Sequence, residues 1–351
     1  MKVLIKSTRN LTNYYVHAYE TWKKALEEFV EVRYYGEGYD NFLGWEKTDQ
    51  EVYEHMGFTP DIELWCGGPG NKKPQYIDDK HILRKSNKNI PKLILLCDYW
   101  EIVRDSSVSE WHKREEELKN MGVVGYFSFY SQTEKWMQKI AKTKMTEFIT
   151  FPYIYDDAFD SYFLDKKWDV NNQGVSNGGY PFRQKVRSGL LADKTIKTFV
   201  VEKDHHYKML DKNSDPLESY FHGGNPVDNF AKLLNSCWIT ITDGYAKYCP
   251  KKSEWNLDGT DMFLAKYPQV FASNSVLFCP EITSDHIDGL IDGFHYVAVN
   301  EGNFIDKIKY YLNDKSKLIE VSDNASDWVL RNCSKEVVGL RVQNSLKEIL
   351  K

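Results

Sequence analysis

The residues whose types and spacing could do chemistry cluster late in the chain. Asp261-Met-Phe-Leu-Ala-Lys266-Tyr-Pro-Gln269 runs through Val-Phe-Ala-Ser-Asn-Ser275 into the apolar run Val276-Leu-Phe-Cys279. An acid, a lysine three residues before a second polar side chain, small residues and a buried run is the order a nucleotide-sugar site needs where a helix feeds a parallel strand. Lys266 and Gln269 share nearly one helix face, and the Gln269 amide oxygen can accept from a hydroxyl without charge. A second group is Trp168-Asp-Val-Asn-Asn-Gln-Gly174, followed by Gly178-Gly-Tyr-Pro181-Phe-Arg183. Glycine at a strand end lets a phosphate approach the backbone, and a helix N-terminus beyond it offers unpaired N–H groups. Pro181 suits the first helical turn, and Arg183 presents a planar guanidinium fork to a diphosphate. A third group, Cys237-Trp-Ile-Thr-Ile-Thr242-Asp243-Gly244, closes an apolar strand in a polar turn. Ligands of doubly wound sheets bind beyond such strand ends, so Thr242 and Asp243 can contact a base or ribose. Each group also has a plain structural alternative: a solvated arginine on a surface helix, a capping turn, and an amphipathic helix with Phe263 and Leu264 in the core.

Together these elements resemble the donor-binding half of GT-B glycosyltransferases of group 1, an α/β fold of two facing Rossmann-like domains with a cleft between them. The resemblance covers most of the chain, strongly from about residue 151 onward. It implies that Lys266 meets the donor diphosphate and that Asp261 lies near the transferred sugar. It puts Gln269 where the family pattern, acid, seven residues, acid, has the carboxylate that holds the ribose hydroxyls. In the first half it implies that Asp98, ending the run Leu-Ile-Leu-Leu-Cys97, faces the sugar, and that Arg9 and Asn10 form the acceptor-side turn. The catalytic candidates are therefore Asp98 and Asp261. The donor-binding candidates are Gly174, Arg183, Thr242, Asp243, Lys266 and Gln269. The implied substrate is a UDP- or GDP-linked sugar and the implied acceptor a glycan or glycoprotein, with retention of configuration, no cofactor and no metal. Two departures stand out: an amide replaces the second acid, and Pro268 falls inside the expected helix, where it would kink or shorten it. They leave two further readings, a non-catalytic GT-B-like sugar- or nucleotide-binding protein and a sugar-nucleotide epimerase of the same architecture.

The elements that must position these residues follow from periodicity. Strands are predicted at residues 2–7, 30–35, 61–66, 91–98, 122–128 and 146–151, with helices at 14–29, 48–56, 108–119 and 132–142 between them. The alternation restarts with strands at 168–175, 195–201, 238–242, 276–279 and 296–299 and helices at 181–191, 227–236, 261–273, 303–312 and 335–350. Two successive sets of alternating strands and helices predict two doubly wound domains. The expected division is 1–155 for an acceptor-side domain and 156–334 for a donor domain. A terminal helix at 335–351 would cross back to the first.

With 351 residues the chain has the length of two domains. Its net charge of −5, from 46 basic and 51 acidic residues, lacks the basic footprint of a nucleic-acid binder. Neither Asp-x-Asp nor His-Glu-x-x-His occurs, which disfavours metal-dependent single-domain glycosyltransferases and zinc proteases. Gly174-Val-Ser176-Asn-Gly178 matches a nucleophile elbow only formally, because the residues before it are too polar for the buried strand such an elbow needs. Six cysteines without a Cys-x-x-Cys pair suit reduced thiols in a cytoplasmic protein. No apolar run reaches the roughly 20 residues of a membrane span, while attachment to a membrane surface stays open.

Overall fold

A computed structural model describes residues 1–7, 14–66, 86–96, 107–129, 133–155, 157–160, 164–172, 181–200, 226–243, 263–282 and 289–351. The elements, in chain order, begin with β1 (Lys2–Lys6), α1 (Tyr14–Glu27), β2 (Glu31–Tyr35), α2 (Asp49–Met56), β3 (Ile62–Trp65) and β4 (Lys92–Leu96). Next come α3 (Val108–Lys119), β5 (Val123–Ser128), α4 (Thr133–Lys139), β6 (Glu147–Thr150), β7 (Trp168–Asn172), α5 (Pro181–Ala192), β8 (Thr198–Val200), α6 (Pro226–Asn235) and β9 (Cys237–Ile241). The chain ends with α7 (Lys266–Ala272), β10 (Val276–Cys279), β11 (Val297–Ala298), α8 (Phe304–Asn313), α9 (Lys315–Cys333) and α10 (Lys335–Ile349). The described residues fall into two compact units. Unit 1 contains Met1–Phe151 and Lys335–Lys351, and unit 2 contains Pro152–Tyr248 and Asp258–Ser334.

Unit 1 is built on a six-stranded parallel sheet in the order β2-β1-β3-β4-β5-β6. Its central strands are buried end to end, as strands covered on both faces must be. Charges nevertheless enter this core. Lys6 Nζ lies 2.5 Å from Asp49 Oδ1 and 3.1 Å from Glu63 Oε1. Lys92 Nζ lies 3.7 Å from Asp49 Oδ2, and Glu63 also accepts from Tyr53 Oη at 2.5 Å and Trp65 Nε1 at 2.6 Å. A capping box from Thr48 and Glu51 starts α2 and so fixes Asp49 in this network. The terminal helix α10 also belongs to unit 1. Gln343 Nε2 donates to the Phe29 carbonyl at 2.7 Å, and a Cβ on Gly339 would fall 2.6 Å from the Ala25 carbonyl oxygen, so the backbones of α10 and α1 touch.

Unit 2 has a five-stranded parallel sheet in the order β11-β10-β9-β7-β8. Val170, Ile239, Ile241, Val276 and Phe278 carry its core onto Val186 and Leu190 of α5, Phe304 and Ile308 of α8, and Leu318 and Val321 of α9. The chain enters β7, steps outward to β8, then returns to the other side of β7 with β9. The switch point of this sheet therefore lies between β7 and β9, and in doubly wound sheets ligands bind beyond the carboxyl ends of the strands at such a point. No helix among the described residues is long and apolar enough to cross a membrane.

Candidate functional site

The carboxyl ends of β7 and β9 are tied together by Asn172, whose Nδ2 donates to the Ile241 carbonyl at 3.2 Å. Beyond Ile241 the main chain stays with the sheet for one more residue, because Thr242 N donates to the Phe278 carbonyl at 3.1 Å. Asp243 follows, fully buried. Arg183, third residue of α5 behind Pro181, reaches across the switch point. Its Nε donates to Asp243 Oδ1, and its Nη2 donates to the Asp243 carbonyl at 2.5 Å. The fork thus holds both the side chain and the main chain of the turn.

Lys266 opens α7 and completes the group. It is 9% exposed, and burial, reinforced by the Arg183 charge and opposed by Asp243, lowers its ammonium to about 7. Among the described residues its Nζ makes neither a hydrogen bond nor a salt bridge. Burial raises the Asp243 carboxyl, against the pull of Arg183 and Lys266, and its Oδ2 has no hydrogen-bond partner among the described residues. Two cations and one anion packed out of water, one cation unspent, form a site with unfilled capacity for negative charge.

The structure thus brings Arg183, Thr242, Asp243 and Lys266 to one sheet edge. Gln269, one turn beyond Lys266, is buried at 3% exposure, so that position faces inward. Arg9, Asn10, Asp98, Gly174 and Asp261 lie outside the described residues, as do the elbow-like glycine segment and the first two residues of the predicted 261–273 helix. The helical turns begin at Lys266, so the helix is shorter than 261–273 and Pro268 sits in its first turn, where its missing N–H would have no intrahelical acceptor anyway; of the two expected effects the helix shows the shortening. Sequence reasoning missed the asparagines of β7. Asn171 is fully buried, and neither its Oδ1 nor its Nδ2 has a partner among the described residues. The available signal was two successive amides at the carboxyl end of a parallel strand.

No family model and no curated protein matches this chain. Solved structures do match it over nearly its whole length. HepE of Anabaena, in complex with UDP and glucose, aligns with a TM-score of 0.62 and 9% identity, covering 99% of this chain and 100% of that one. Sucrose-phosphate synthase of Thermosynechococcus elongatus gives a TM-score of 0.61 at 10% identity over 99% and 98% of the two chains. An alpha-glucosyltransferase in complex with UDP and a 13-mer DNA containing an A:G mismatch gives 0.60 at 12% identity over all of both chains. Likeness at such identities speaks for architecture, and the architecture of this chain is GT-B: two Rossmann-like units of parallel sheet and flanking helices, as in these glycosyltransferases.

Proposed function

We propose that the chain is a glycosyltransferase that moves a sugar from a UDP- or GDP-linked donor to a hydroxyl of a glycan or glycoprotein, with retention and without a metal. The observation that carries this reading is the Lys266 ammonium, buried beside the Arg183–Asp243 pair at the switch point of unit 2 and without a hydrogen-bond acceptor among the described residues. A diphosphate placed there would meet the Lys266 ammonium beside the Arg183–Asp243 pair. Charge growing on the leaving diphosphate would then be met by groups already in place, the kind of stabilisation that contributes most to catalysis. The acidic net charge favours a glycan or protein acceptor over nucleic acid.

The test is thermal stabilisation of the full chain by UDP, GDP and their hexose conjugates. Ligand at a hundred times its dissociation constant should stabilise by roughly 2.7 kcal/mol. Lys266→Ala should remove most of the shift, and a chain that no nucleotide stabilises would defeat the reading. Gln269, an amide where the family has an acid, favours a second reading in which the site binds without turnover. That reading gains if the wild type binds donor but neither transfers nor hydrolyses it while Gln269→Glu does.

A further inference from the structure

Unit 2 carries a concavity whose lining shares no residue with the Arg183–Asp243–Lys266 group. It is a groove of about 450 Å³ lined by Phe294 and His295 on one side and by Asn324, Asp327 and Trp328 of α9 on the other. The segment bearing Phe294 is a built turn. His295 N donates to the Ile291 carbonyl at 2.9 Å and Gly293 N to the Tyr296 carbonyl at 2.8 Å, with Gly289 and Gly293 in the left-handed region at φ +85° and +75°. This turn fixes a histidine tautomer. Ile291 N donates to His295 Nδ1 at 3.0 Å, which leaves the ring proton on Nε2. His295 is only 8% exposed, and its Nε2–H finds no acceptor among the described residues. Burial also lowers the ring below its ordinary 6.5, so it is neutral at pH 7.

Trp328 repeats the pattern. It is 7% exposed and wedged against Phe263 and Phe271 at ring distances of 6.2 and 5.8 Å, yet its indole N–H also has no partner among the described residues. Phe294, by contrast, stands 46% exposed, edge-on to His295 with centroids 4.7 Å apart. The ring donors of two mostly buried side chains and an aromatic ring held half out in water line one groove, whose rim carries the Asn324 and Asn332 amides and the Asp327–Arg331 ion pair. Pockets with a few convergent polar groups are ordinarily ligand sites.

We propose that this groove is a saccharide subsite that binds a neutral sugar unit of a glycan. The ligand must present acceptors to His295 Nε2–H and the indole N–H, a C–H-rich face to Phe294, and hydroxyls to Asn324 and Asp327. A pyranose does all three. The Asp327 carboxylate and the Arg331 guanidinium at the rim lie 3.3 Å apart and offset each other, which suits a neutral ligand, and an apolar one would leave the two ring donors unsatisfied.

The test is a printed array of neutral and acidic oligosaccharides probed with the labelled full-length chain, followed by calorimetric titration of the strongest neutral glycan with UDP present. Phe294→Ala and the double variant Asn324→Ala/Asp327→Ala alter exposed or half-exposed side chains, and circular dichroism melts establish that each folds. Either variant should weaken glycan binding about ten-fold while keeping the thermal shift given by UDP, and Lys266→Ala should do the reverse. The proposal is overturned if the wild type retains no neutral glycan, if only acidic glycans bind, if both folded groove variants bind as wild type does, or if Lys266→Ala abolishes glycan binding. Because the groove variants are read on glycan and Lys266→Ala on nucleotide, failure of this subsite and failure of the donor site give different results.

Discussion

Lys266 makes the proposed donor site pH-sensitive. Its ammonium lies near 7 in the free chain, and an anion bound beside it raises that value. Between about pH 7 and the raised value the complex holds a proton that the free chain lacks, so affinity for UDP is expected to fall as pH rises from 7 to 9. Titration calorimetry across that range checks it, and Lys266→Met should flatten the slope. Arg183→Ala differs in kind. It strands a buried Asp243 carboxylate, and breaking such a pair costs about 3–5 kcal/mol, so denaturant melts should show lost stability with or without nucleotide. Asn171 gives the opposite sign. Both its polar side-chain atoms are buried without partners among the described residues, so Asn171→Val should stabilise the chain by about 1–3 kcal/mol, read as a raised denaturation midpoint. The individual types at the site were legible because Arg183, Thr242, Asp243 and Lys266 stand where strands and helix turns meet. That Arg183 is committed to Asp243 was not. The two lie 60 residues apart, and only the β7–β9 adjacency joins them.

Elements with strong local signals were read closely. Val108–Lys119 and Val276–Cys279 have the predicted bounds, and α2 differs only in that Thr48 caps the helix instead of joining it. The 19-residue helix α9 was missed altogether. Its middle, Ser322-Asp-Asn-Ala-Ser-Asp327, is poor in helix formers, and that outweighed a valid helical stripe of Leu318, Val321, Ala325, Trp328 and Val329. Tertiary packing rescues such a helix, since those five residues are buried. The missed helix supplies half of the proposed saccharide groove, so that groove was beyond reach of the sequence. In α10 the informative residue is Gly339. Only hydrogen fits where a Cβ would meet the Ala25 carbonyl and the Phe29 ring at 2.6 and 2.7 Å. Gly339→Val should push α10 off α1 and destabilise unit 1 by about 1–3 kcal/mol or more, seen as faster amide exchange in α1.

Each unit has its own sheet and its own buried groups, so calorimetry should show ligand and acid acting on different parts of the molecule. UDP should raise the transition of unit 2. Acid should lower that of unit 1: burial alone would raise the Asp49 carboxyl, but the Lys6 and Lys92 ammonium groups outweigh it and hold it below the ordinary value. The stability this gives is complete above the ordinary carboxylate pKa near 4 and is lost as pH falls through the depressed value. The two-unit plan was legible because the alternation of strand and helix breaks off and restarts; the strand orders, and with them the switch points, are set by contacts no local pattern records. The place of α10 has a consequence for biosynthesis. Unit 1 opens the chain, yet it closes only with Lys335–Lys351, after all of unit 2. At ribosomal speeds of about 5–20 residues per second, the stretch from residue 151 to 335 takes roughly 10 to 40 s. For that interval the nascent chain carries α1 with its Ala25–Phe29 surface uncovered. The amino-terminal unit is thus the last to mature, and it is the part of a growing polypeptide that a chaperone would hold.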